Sequence, residues 1–82
     1  MKTIWKYQIG MASTLEVPKD AKLLAVQTQN EEPCLWFEVD PNNEKEPRKF
    51  HVIGTGHEVR GNKYLGTFQS PPFVWHVYED SL

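Results

Sequence analysis

The residues best suited to chemistry lie between His51 and Arg60, where Gly54-Thr55-Gly56-His57 is followed by Arg60. Backbone N–H groups in glycine turns can form anion-binding concavities, and an arginine offers a planar fork that meets phosphate or carboxylate with two parallel bonds. Thr55, Gly56, His57, Arg60 and the nearby His51 are therefore candidate contacts for an anionic ligand. The same glycines permit positive φ, so the stretch also suits a bulge or bend at the end of a strand. It lacks the G-K-[ST] ending of a nucleotide-hydrolysing loop and any helix to follow it, so the phosphate chemistry it suits is binding.

Other constellations are weaker. His51, His57, His76 and Cys34 lack the spacing of a structural zinc site and have no cysteine pair to support them, so neither metal nor cofactor is expected. Cys34, alone between Pro33 and Leu35, suits a small packed residue better than a nucleophile, which would need a positioned base. Ser13, Ser70 and Ser81 sit in turn or terminal contexts with no nucleophile elbow around them. Glu31-Glu32, Glu44, Glu46 and Glu79-Asp80 fall in hydrophilic stretches; Glu38, beside Trp36, is the one carboxylate placed inside an apolar run. No catalytic set emerges, and the expectation is a protein that binds without catalysing.

These residues must be positioned by strands. Thr3, Trp5, Tyr7 and Ile9 share one parity; Leu35, Phe37 and Val39 share another, with Cys34, Trp36 and Glu38 opposite them. Ala21 to Gln29 is a strand of mixed parity, paired with the Cys34 strand through a turn at Asn30. Asp40 to Arg48 holds turn formers and charge, which predicts an exposed loop over 40–48. Phe50 and Val52 open the strand leading to Gly54, and Gly61-Asn62 reads as the two-residue turn of a further hairpin. Tyr64, Gly66 and Phe68 share a parity, Ser70-Pro71-Pro72 ends that run, and Phe73, Trp75 and Val77 face inward on the last strand. Pro18 argues against a helix over 14–24 and makes Val17 to Asp20 a turn. The sum is an all-β protein, a small antiparallel meander of about six strands closed as a barrel or stacked as a sandwich.

Eighty-two residues allow one domain, so residues 1–82 form a single β domain. The balance of 9 Lys and Arg against 11 Asp and Glu, net charge -2, argues against direct DNA binding, for which a basic stripe would be needed. No apolar run approaches the length of a membrane span, and no secretory leader is visible at Met1 to Tyr7, so a soluble cytoplasmic protein is expected. The chain is rich in aromatics, with 3 Trp, 3 Tyr and 4 Phe. Alternation places seven of these inward and leaves Trp36, Tyr64 and Tyr78 over; Trp36 and Tyr78 join the candidate ligand contacts.

The opening Met1-Lys2-Thr3-Ile4-Trp5-Lys6-Tyr7, then Pro33-Cys34-Leu35-Trp36, Val39-Asp40-Pro41, Gly54-Thr55-Gly56-His57, Tyr64-Leu65-Gly66-Thr67-Phe68 and Val74-Trp75-His76-Val77-Tyr78-Glu79 resemble, in this order, a family of small uncharacterised bacteriophage and prophage proteins. The resemblance implies a phage-encoded accessory protein acting in the host bacterial cytoplasm and brings no catalytic residues with it. Two functions follow as expectations. One is a counter-defence binder that sequesters a nucleotide-like immune signal, at a site shared between subunits of a homo-oligomer. The alternative is an interaction module that inhibits or modulates a host protein through an aromatic patch or a strand edge.

Overall fold

The computed structural model describes residues 1–81. Seven strands follow one another: β1 (Thr3–Gln8), β2 (Ala12–Pro18), β3 (Lys22–Gln29), β4 (Glu32–Val39), β5 (Lys45–Gly54), β6 (Lys63–Ser70) and β7 (Phe73–Asp80). They form two antiparallel sheets, a three-stranded one in the order β1-β4-β3 and a four-stranded one in the order β2-β5-β7-β6. The protein is thus all-β and a sandwich, with no closed barrel. No helix among the described residues is long and apolar enough to cross a membrane.

Alternation decides which face of each strand meets the other sheet. Leu35, Phe37 and Val39 of β4 are fully buried and pack with Phe50, Val52, Phe68 and Val77 of the larger sheet, joined by Val17 and Ile9. Trp5 and Tyr7 add the apolar side of β1, with Tyr7 edge-on to Phe37 at 5.8 Å. At one end the core closes on an ion pair. Arg48 Nε and Nη2 donate to the two oxygens of Glu79 at 2.6 and 2.8 Å, and Nη1 donates to the Ala21 carbonyl. The guanidinium lies over the rings of Phe37 and Phe50. Its hydrogen bond to Glu79 raises the Arg48 pKa above its ordinary value against the opposing effect of burial.

The β3–β4 hairpin forms as the sequence predicts, through Asn30 and Glu31. Both have positive φ, as a two-residue turn that follows strand twist requires. The mixed parity of β3 has a cause: a bulge between Leu23 and Ala25 turns Leu24 to solvent. A second irregularity between Tyr64 and Gly66 takes Tyr64 off the parity of Phe68 and onto the outer face. Gly66 itself lies where a Cβ would come within 2.8 Å of Val26, so the lack of a side chain lets β6 approach β3 along the edge of the sandwich.

Several expectations need correction. The strand count rises to seven because Ala12–Pro18 is a strand paired with β5, so Val17 and Pro18 belong to a strand end and only Lys19 and Asp20 turn. The loop predicted over 40–48 stops at Glu44. Pro47 is accommodated within β5 because β7 pairs only from Lys49 onward, leaving Lys45 to Arg48 with a partner on one side. The chain is not a simple meander: β1, β2 and β5 pair with strands far along the sequence, and only β3–β4 and β6–β7 are hairpins. No hairpin forms at Gly61-Asn62, since residues 58–60 are not strand. Phe73 is 59% exposed, because the β5 ladder on β7 reaches only Trp75 and leaves Phe73 opposite Ser70 of β6 alone.

Candidate functional site

Strands β5 and β6 run in the same direction on either side of β7, so the segment between them must cross β7 over one face of the sheet. It takes the outer face. Phe50 and Val52 point into the core, so His51 and Ile53 point away from it, yet both are buried beneath this crossing segment. Gly61, at φ 86°, fits against β7 so closely that a Cβ there would stand 3.1 Å from the Glu79 carbonyl oxygen and 3.2 Å from the His51 ring. Asn62 then fastens the segment: its backbone N–H donates to the Glu79 carbonyl, and its side chain exchanges two hydrogen bonds with the Ser81 backbone. The residues that resemble a hairpin turn in sequence thus serve as a docking clasp.

The crossing begins in a tight turn. His57 N–H donates to the Gly54 carbonyl at 3.0 Å, Gly56 takes φ 91°, and Thr55 N–H donates to the Val74 carbonyl. Two of the amides in this turn are therefore already occupied, and an anion here is met by side chains more than by a backbone cradle. Thr55 is occupied as well. Its hydroxyl lies 3.1 Å from the Val74 carbonyl oxygen and 2.8 Å from His76 Nε2. His76 Nδ1 then pairs with the Thr67 hydroxyl, which in turn meets the Tyr64 hydroxyl. This hydroxyl–imidazole chain ties β6, β7 and the turn together.

Two clefts flank the turn. One, of about 340 Å³, is lined by His51, Ile53, Gly54, His57, Glu58 and Arg60 among others. The second, of about 420 Å³, is lined by Gly54, Thr55, His57, Phe73, Val74 and Trp75 with Pro72. Gly54 and His57 belong to both, so the clefts adjoin across the turn. Phe73 and Trp75 stand 5.8 Å apart with their rings tilted by 48°. His51 is held in place by Asp80, whose carboxylate lies 3.1 Å from Nε2.

The family described as "Domain of unknown function (DUF7352)" matches the chain over residues 1–82. The chain belongs to this family. No curated protein and no solved structure matches it.

Of the candidate contacts read from the sequence, the DUF7352 fold brings His51, Thr55, His57 and Arg60 to the two adjoining clefts, while Gly56 shapes the turn between them and lines neither. Tyr78 pairs with His51 across the strands but lines neither cleft; it packs edge-on against Tyr64 at 5.5 Å. Trp36 lies on the outer face of the other sheet, opposite Lys6 and Ala25, and is separated from the site by the core. In their place the DUF7352 domain supplies Phe73 and Trp75. Alternation assigns both inward, and the only sequence signal that Phe73 escapes the core is its place directly after Pro71-Pro72. The histidines do not converge: His51 pairs with Asp80 and His76 with two threonines, and no group of metal-ligating side chains forms among the described residues.

Proposed function

We propose that this domain is a non-catalytic binder of a small aromatic anion of the nucleotide type. The observation that carries the reading is the junction of the two clefts at Gly54 and His57: the cleft that holds Arg60 adjoins the one lined by the exposed Phe73 and the half-buried Trp75, and His57 lines both. A nucleobase stacked on an aromatic side chain gains about 1–3 kcal/mol. A phosphate met by an arginine fork adds charge-assisted bonds that are about twice as strong as neutral ones. Each cleft alone falls near the lower end of the volumes that hold drug-sized ligands, and the pair together suits a ligand with a flat ring at one end and charge at the other.

The sequence resemblance to phage and prophage proteins extends the proposal: a phage-encoded protein in the host cytoplasm that sequesters a nucleotide-like immune signal, acting as a homo-oligomer. Isothermal titration against cyclic dinucleotides, ADP-ribose-type molecules and mononucleotides tests it. Saturable heat with one of them, lost in Arg60→Ala, supports the reading; absence of heat across the panel ends it. A second reading, capture of a host protein, draws on the exposed Met11, Val59, Phe73 and Val74 around the same clefts. A stoichiometric partner recovered from host lysate and released by Phe73→Asp would favour it.

A further inference from the structure

The sandwich has four edge strands, β1 and β3 in the smaller sheet and β2 and β6 in the larger. An edge strand carries a row of unpaired backbone groups and is usually blunted by a proline, a bulge, a charge or a covering element. Three of the four are blunted. β3 and β6 shield each other, with Gly66 against Val26, and each carries a register shift. β2 ends in Pro18, and the Tyr7 hydroxyl reaches its Glu16 carbonyl. β1 has no proline and pairs with β4 without a shift from Thr3 to Gln8. The lysines near it are held on their own chain: Lys2 lies 3.6 Å from Glu38, Lys6 donates to Gln29, and Lys45 of the facing sheet sits over the Trp5 ring.

The hydrogen bond from Ile9 N–H to the Pro33 carbonyl sets the phase of the β1–β4 ladder. Opposed residues alternate between bonded and non-bonded pairs, so Thr3, Trp5 and Tyr7 bond to β4, whereas Ile4, Lys6 and Gln8 aim their N–H and C=O groups off the free edge. None of those groups meets a partner among the described residues. Trp5 and Tyr7, with Leu15 of β2, are half-buried on this open side of the core.

We infer that β1 is the interface between two copies of this chain, paired antiparallel about a two-fold axis through Trp5 so that the two smaller sheets join into one. The residue order of the strand selects this register, because bonded pairs across the edge must come from Lys2, Ile4, Lys6 and Gln8. Centring on Ile4 sets Lys6 opposite Lys2, and centring on Lys6 sets it opposite itself; like charges directly opposed are unfavourable. Centring on Tyr7 leaves Thr3 and Ile4 without a strand residue to pair with. Centring on Trp5 sets Ile4 of each copy opposite Lys6 of the other and Thr3 opposite Tyr7, and opposes no like charges. It also brings the two Trp5 side chains together as a non-bonded pair, the closer of the two kinds. A two-fold contact uses one patch twice, which an unguarded edge that fits its own copy supplies. The inference gives a place to the homo-oligomer proposed above and requires no ligand.

Sedimentation equilibrium of the full chain over a concentration series is expected to show the mass rise from one chain to two. Amide exchange followed by NMR should slow about tenfold or more at Ile4 and Lys6 as the dimer forms, while Trp5 and Tyr7, bonded to β4, stay slow throughout. Lys6→Pro removes an N–H that the chain's own ladder does not use, so it should keep the fold and weaken the dimer by about tenfold or more. Trp5→Cys should cross-link the copies under mild oxidation faster than Lys6→Cys, although position 6 is the more exposed. A single-chain mass at every concentration overturns the inference and leaves the edge to an extended segment of another protein. A dimer undiminished in Lys6→Pro, exchange at Ile4 and Lys6 indifferent to concentration, or faster cross-linking in Lys6→Cys overturns this interface while leaving a homo-oligomer standing. Exchange in the unsubstituted chain decides the matter even where Lys6→Pro unfolds, and the nucleotide titration can succeed or fail independently of all four readouts.

Discussion

Replacing Arg48 with methionine should destabilise the protein more than any conservative change at its surface. Methionine preserves an apolar stem over Phe37 and Phe50 but removes every donor. The Glu79 carboxylate, whose side chain is 7% exposed, then loses both of its bonds, and no other side chain among the described residues donates to it. Removing one partner of a buried pair costs about 3–5 kcal/mol. A domain of this length has a total stability of about 4–12 kcal/mol at the usual value per residue, so Arg48→Met should consume about a quarter of it or more. Glu79→Gln should cost less, about 1.5–3 kcal/mol, because the arginine keeps the Ala21 carbonyl and two aromatic faces. The decisive variant is the double change Arg48→Met with Glu79→Met, which leaves no charge stranded and should recover most of the loss. Urea unfolding followed by tryptophan fluorescence measures all three. A loss below about 1 kcal/mol in Arg48→Met, or a double variant less stable than that single one, would refute the argument that a stranded carboxylate dominates.

Three further outcomes are expected. Gly61→Ala places a Cβ against the Glu79 carbonyl and the His51 ring at φ 86°, so it should cost about 1–2 kcal/mol in urea unfolding and shift the His51 ring resonances. Phe73→Ala should weaken binding of a stacked nucleotide by the equivalent of about 1–3 kcal/mol in titration calorimetry, with little change in stability, since the ring is mostly exposed. Burial raises the Tyr7 pKa, so above the ordinary tyrosine value of about 10 the unfolded chain loses that proton before the folded one does. Stability from this group is complete below that pH and falls as pH rises through the folded pKa. Tyr7→Phe should flatten that alkaline fall and change little at neutral pH, where its bond to the Glu16 carbonyl spans 3.4 Å; urea midpoints at pH 8 and pH 11 compare the two.

Strands whose apolar residues alternate cleanly are legible in the sequence. β1 obeys parity residue by residue and β4 does so except at Cys34, which is buried on the outward side, because each has one face on the core and one away from it. β2 escapes because Ser13 stands at one of its inward positions and Pro18 at its end. Bulges at Leu24 and Leu65 shift parity mid-strand, which no two-residue period anticipates. The site is half legible for the same reason. His51, His57 and Arg60 are near one another in sequence and stay so in space, whereas Phe73 and Trp75 reach them only through the β5–β7 register. Trp36 looks equally available, but its position on β4 puts it on the wrong sheet, and sheet membership depends on long-range pairing that local pattern does not encode.

The order of strands in the larger sheet has a consequence for how the chain is made. β7 is synthesised after both β5 and β6 yet lies between them. Until translation has passed Asp80 and released that segment from the ribosome, β5 and β6 have no strand to join them, and the 55–62 crossing has no β7 surface to settle on. The smaller sheet can assemble earlier, since β1, β3 and β4 are complete by Val39. A nascent chain stalled before β7 would therefore expose the apolar sides of Phe50, Val52 and Phe68, and its clefts would appear only once β7 has joined the sheet.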